Sequence, residues 1–155
     1  MSRALETMRQ GHRCAMLTTS FFISVPMSES INTDPVFGII LLMTLLASLL
    51  HWSRYKFNSI WHWMDRMCVL HVFAYLFCFY FNMRNVVLCV VAIILFLCGR
   101  WSTRERHKLG FHLLFRFVSF WTCMSVTSTL SAGKMVITTL AYLIVIQLSL
   151  AYTSA

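Results

Sequence analysis

Side chains that can bind a metal ion or move a proton recur in three short stretches of this chain: Ser48 and His51 in ASLLHW, His62 and Asp65 in WHWMDRM, and His107 and His112 in HKLGFHLLFRF. Neutral imidazoles suit zinc, and a catalytic zinc keeps three protein ligands and a water. The metal lowers the pKa of that water toward neutrality, and a nearby carboxylate takes its proton as the water attacks a carbonyl. On this reading His51, His107 and His112 are the ligands of a Zn2+ cofactor and Asp65 is the general base. Ser48, three residues before His51 and about 60° from it round a helix, is placed to hold the water or the oxyanion.

The same residues also have a purely structural reading. His51 beside Trp52 suits a membrane–water interface. Asp65 can pair with Arg66 or Arg116, and for Arg116 this pairing is expected in preference to snorkelling, because it satisfies a charge in low dielectric. His62, three residues before Asp65, shares its helical face and can hydrogen-bond it. His71 is expected to bond a neighbouring helix, while Cys68 and the Phe ladder at 111, 115, 117 and 120 are expected to pack.

Either reading needs elements that bring these stretches together. Hydrophobic residues make up 59% of the 155 and charged ones 12%, with a mean hydropathy of +0.71. A soluble domain carries about 25% charged residues. The apolar residues also fall in blocks of membrane-spanning length separated by basic clusters. That pattern predicts an all-α, polytopic transmembrane bundle of about five spans, near residues 36–52, 60–81, 86–101, 109–130 and 135–152. Pro35 is suited to a helix start, where its missing N–H has no partner to lose. Trp61 and Trp63 at the entry of the second span, with Tyr75 and Tyr80 toward its exit, suit the two interfaces. The third span is the most uniformly aliphatic and is expected to face lipid most.

Residues 1–34 are expected to form an N-terminal arm. Arg3, Arg9, His12 and Arg13 precede an apolar run from Cys14 to Val25, which as a helix rises about 18 Å, short of a roughly 30 Å hydrocarbon core. A basic stretch followed by a short apolar one reads as a signal peptide or organelle presequence, or as a disordered or interfacial arm.

The net charge of +8 would suit nucleic acid in a soluble protein, but here Lys and Arg sit at the segment borders. That placement fits topology anchoring and anionic headgroups instead. Arg54 and Lys56 follow the first span, and Arg100, Arg104, Arg106 and Lys108 follow the third, whereas the opposite loops hold only Arg84 and Lys134. The loops after spans one and three, and the C-terminus, are therefore expected to be cytoplasmic, and the arm before span one to lie outside. This topology puts His51, Asp65 and His112 in one layer about 7 Å from the inner face. The six cysteines form no CxxC pair and read as small buried hydrophobes rather than a disulfide framework.

At the three stretches the chain resembles the membrane hydrolase superfamily that includes the alkaline ceramidases and the progestin and adiponectin receptors, often called CREST. Its members carry a Ser and a His one turn apart on an early span, an Asp on the next, and a His pair on a late span. ASLLHW, WHWMDRM and HKLGFHLLFRF match in order and rough separation. Three features depart from the pattern: Ser48 stands three rather than four residues before His51, His107 and His112 are five rather than four apart, and seven spans are usual in the family. The resemblance implies zinc-dependent hydrolysis of a lipid amide such as a ceramide, with the acyl chain among the spans. The alternative is a non-catalytic small subunit of a larger membrane complex, its aromatic faces meeting partner helices or a second copy of itself. Membrane lipids are expected partners in both cases. A channel or proton relay would need a continuous polar stripe, which spans three and five lack.

Overall fold

The computed structural model describes residues 3–54, 59–127 and 132–152. Among these residues it is all-helical, with α1 at Arg3–Phe21, α2 at Ser24–Thr33, α3 at Pro35–Arg54, α4 at Ile60–Phe79, α5 at Met83–Trp101, α6 at Glu105–Val126 and α7 at Ala132–Tyr152. The last five coincide with the five expected spans to within a few residues. Among the described residues, three segments, Pro35–Ser53, Met83–Trp101 and His107–Val126, are long and apolar enough to cross a membrane. Helix α4 has the length but not the hydropathy, because His62, Asp65, Arg66 and His71 dilute it.

Local chemistry sets the helix starts. Ser59 Oγ accepts from the His62 amide at 3.3 Å and Asn82 Oδ1 from the Arg84 amide at 3.1 Å, each satisfying one of the donors a helix leaves unpaired at its first turn. Asp34 does the same for α3, accepting from the Phe37 amide at 3.2 Å. It also receives the hydroxyls of Tyr75, at 2.9 Å, and Tyr80, at 2.7 Å, from α4 and its C-cap. The carboxylate therefore fastens the start of α3 to the end of α4. The stacked rings of Phe37 and Tyr75, with centroids 5.4 Å apart, lie beside it. Partial burial works against the ionised form of Asp34, but the hydrogen bonds from Tyr80, Phe37 and Tyr75 outweigh it and hold the carboxyl below its usual 3.8.

Three apolar clusters join the helices. Phe37 and Leu41 of α3 meet Val72 and Leu76 of α4 and Cys123 of α6. Ala15 and Met16 of α1 meet Leu109 and Leu113 of α6, with Trp52 against them. Phe120 and Met124 of α6 meet Tyr142 of α7, with Phe22 and Val25 packed on. Helices α2 and α3 approach closely at Gly38, where an added Cβ would stand 2.9 Å from both the backbone nitrogen and Cγ1 of Ile31. All six cysteines are free thiols.

The outer surface is apolar. On α5, Val87, Val90, Val91, Ile93 and Ile94 are exposed, and only 17% of its membrane-length window is buried, against 44% for α3. The third span is thus the least enclosed of the three apolar segments, as its aliphatic composition predicts. Ile39, Leu42, Met43 and Leu46 on α3 and Ile137, Leu140, Ile144 and Leu148 on α7 extend the same belt.

The N-terminal segment differs from the expected arm. Residues 3–33 form α1 and α2, interrupted just before Pro26, which sits in the first turn of α2 where its missing N–H disrupts nothing. Arg13 Nε donates to the Trp52 carbonyl at 2.8 Å, and Ser20 Oγ lies 3.2 Å from Ser48 Oγ. Helix α1 therefore runs antiparallel to α3 and starts at the end of the bundle where α3 finishes. The segment is thus helical and packed along α3. Helix α1 buries Thr19 and Ser20 against the other helices instead of exposing them.

Candidate functional site

One cavity of about 900 Å³ opens inside the bundle at the end where α3 finishes and α4 starts. Ser48, His51, Asp65 and His112 all line it. The common depth inferred from topology is thus realised as a common cavity for four of the five candidate residues.

His51 is 3% exposed; its Nε2 lies 3.4 Å from His62 Nδ1, and its ring meets Trp52 edge-on with centroids 4.8 Å apart. His62 therefore faces His51. His112 lies beside Phe96, with ring centroids 6.1 Å apart. It has room there because Gly99 of α5 approaches closely, a Cβ at that position standing 3.4 Å from His112 Cε1.

His107 is the exception. It lies within α6, is exposed and does not line the cavity. Five residues of continuous helix turn it about 140° from His112, so the two rings diverge. Gly110 introduces no break between them. His71 also departs from expectation: it is exposed and its Nδ1 is 2.7 Å from the Met67 carbonyl of its own helix.

Arg116 does not take Asp65 as its hydrogen-bond partner. Its Nη1 donates to the Met16 carbonyl at 2.8 Å and to Ser20 Oγ at 2.6 Å, and its Nη2 donates to Ser48 Oγ at 2.8 Å. The guanidinium carbon stands 5.7 Å from the centroid of the Trp52 ring. Arg116 thus bolts α6 to α1 and α3. Ser48, 2% exposed, spends its oxygen on Arg116 and Ser20, which leaves little capacity for a water or an oxyanion. Asp65 Oδ1 is buried with no hydrogen-bond partner among the described residues.

Sequence reasoning missed the contribution of α1 to the site. His12 stacks on Trp52 with centroids 5.8 Å apart and lies 6.3 Å from the His112 ring, and Arg13 also lines the cavity. The only signal for them was the position of His12 and Arg13 at the edge of an apolar run. Arg66, Arg100 and Lys108 complete the charged rim. Toward the middle of the bundle Ile23, Leu41, Val72 and Phe120 enter the lining, beside the hydroxyls of Thr44 and Ser119.

The donor geometry does not match a three-ligand zinc site. Among the described residues, no group of three or more His, Cys, Asp or Glu side chains stands close enough to hold a metal ion. His51 is turned to His62 and His107 points elsewhere, so the expected ligand set is not assembled. A scan against models of protein families, a search of curated proteins and a search of solved structures each found no match.

Proposed function

We propose that the chain is a multi-pass integral membrane protein that binds a membrane amphiphile in this cavity, without catalysing its breakdown. The apolar belt over α3, α5 and α7 supports the membrane setting, since a water-exposed surface rarely carries so large a contiguous apolar area. The charged rim lies at the end that carries Arg54, Arg100 and Arg104, which the distribution of Lys and Arg assigns to the cytoplasm. The observation that carries the binding reading is the gradient along the cavity, from imidazoles and guanidiniums at the rim to Leu41, Val72 and Phe120 in the interior. An amphiphile presents the same gradient. The volume is at the upper end of the roughly 300–1,000 Å³ usual for small-molecule sites.

Native mass spectrometry of the full chain in mild detergent tests this reading. One amphiphile per chain is expected to survive delipidation, and Val72→Trp, which fills the interior part of the cavity, should displace it. A lipid-free chain with an unchanged spectrum in the variant would refute it.

The convergence of Ser48, His51, Asp65 and His112 favours a second reading, the zinc-dependent lipid amide hydrolase that the resemblance implies. It requires a metal to draw His51 and His112 together. About one zinc per purified chain, lost in both His51→Ala and His112→Ala, would support it; metal-free, folded protein would leave the binding reading standing alone.

A further inference from the structure

We infer that the head accepted by the cavity is anionic: a phosphate-bearing lipid headgroup that also offers a hydroxyl or ammonium donor. This rests on the reading of the cavity as an amphiphile site. Arg13, Arg66, Arg100, Lys108 and Arg116 line it, against Asp65 as the only carboxylate among its lining residues.

Arg116 is committed to Met16, Ser20 and Ser48, so it holds the wall rather than a ligand. The other basic residues come from four elements and line the cavity: Arg13 from α1, whose Nε is taken by the Trp52 carbonyl, Arg66 from α4, Arg100 from the end of α5 and Lys108 from the start of α6. The Arg66 guanidinium lies 6.0 Å from the centroid of the Phe96 ring, which orients it within the lining. Convergent positive charge in a cleft with low-dielectric walls raises the local concentration of anions. Guanidiniums hold phosphate oxygens in bidentate pairs. Basic pockets between membrane helices at the cytoplasmic side are suited to anionic headgroups. A neutral ceramide or diacylglycerol would gain nothing from this field.

The second requirement comes from Asp65. Its buried Oδ1 lacks a hydrogen-bond partner among the described residues, although it lines the same cavity as the cations. A bare phosphate would be repelled by that carboxylate, whereas a head bearing a hydroxyl or ammonium group can donate to Asp65 while its phosphate meets the arginines. The rim therefore fits a phosphodiester lipid with a polyol or amine substituent better than a phosphate monoester.

Titration of the delipidated full chain, followed by native mass spectrometry, tests this with four probes: short-chain phosphatidylinositol, phosphatidic acid, ceramide and soluble glycerophosphoinositol. Phosphatidylinositol is expected to bind one per chain, at least about tenfold more tightly than ceramide, a difference of about 1.4 kcal/mol. Arg66→Gln should abolish that preference and Asp65→Leu should remove the advantage over phosphatidic acid. Arg100→Gln, at the exposed edge of the opening, should weaken binding with no risk to folding, so the charge requirement is tested even if Arg66→Gln misfolds. Ceramide binding as tightly as phosphatidylinositol would overturn the anionic head while leaving an amphiphile site. Soluble glycerophosphoinositol binding as tightly as the lipid would overturn the amphiphile itself, as would the failure of all four probes to bind.

Discussion

Two aspartates at opposite ends of the bundle have opposite surroundings. Asp34 receives two tyrosine hydroxyls and a backbone amide, all from its own chain, and these contacts close the end of α4 onto the start of α3. Asp65 lines an open cavity, and its buried oxygen receives nothing from the described residues. A carboxylate whose donors are all internal is a structural fastener. One left without a donor beside converging cations is what the proposed headgroup site would use, since an unmet buried acceptor is otherwise a standing penalty.

The sharpest way to break this comparison is to exchange each carboxylate for an isosteric apolar group. Asp34→Leu should destabilise by about 2–4 kcal/mol, because hydrogen bonds to a charged group are worth roughly 1.5–3 kcal/mol each and the site is partly hydrated. Thermal melting in detergent reads this, and a change under about 0.5 kcal/mol would remove the fastener role. Close behind stands Gly38→Ala, one turn further along α3. Its new methyl meets backbone at Ile31, so α2 must shift, at about 1–3 kcal/mol. An unchanged melting temperature would show that α2 does not press on α3 as described.

Acidification probes the same end more gently. The carboxyl of Asp34 is held below its usual value, so its contribution is fully present above the unfolded pKa, about 3.9, and is lost as pH falls through the lower folded value. The gap in melting temperature between the native chain and Asp34→Asn should therefore be constant from neutral pH down to that region and narrow below it. A gap that instead closed between pH 7 and 5 would point to another group. The smallest effect is expected at the other end: Asp65→Leu should destabilise by about 1 kcal/mol or less, because no internal hydrogen bond is lost and only the attraction to Arg116 and the neighbouring cations goes. A loss as large as that of Asp34→Leu would mean that Asp65 is a fastener too.

The five apolar segments were legible because blocks of that length, bounded by basic residues and turn formers, have few other ways to fold. The convergence of His51, Asp65 and His112 was legible as well, since alternating helices fix depth and depth was nearly enough. Azimuth was the weak point. His107 was named as a third zinc ligand although its place lay nearer the surface and five residues from His112, and the helical repeat that turns it away operates through Gly110 without interruption. Arg116 was expected to seek the opposite charge, but the carbonyl of Met16 and the hydroxyls of Ser20 and Ser48 are in hydrogen-bond reach. Those partners were hidden because α1 had been set aside as an arm. Asp34 carried a readable sign, an N-cap residue immediately before a proline at a helix start, yet nothing local announced that Tyr75 and Tyr80 would close over it.

The bolt at Arg116 ties residues a hundred positions apart in the chain. Four helices separate α1 from α6 along the chain, so the guanidinium that joins Ser20 to Ser48 is supplied only once α6 has been made. The bond that locks α1 in place is in this way a contact of high sequence separation, and it closes late in assembly of the bundle.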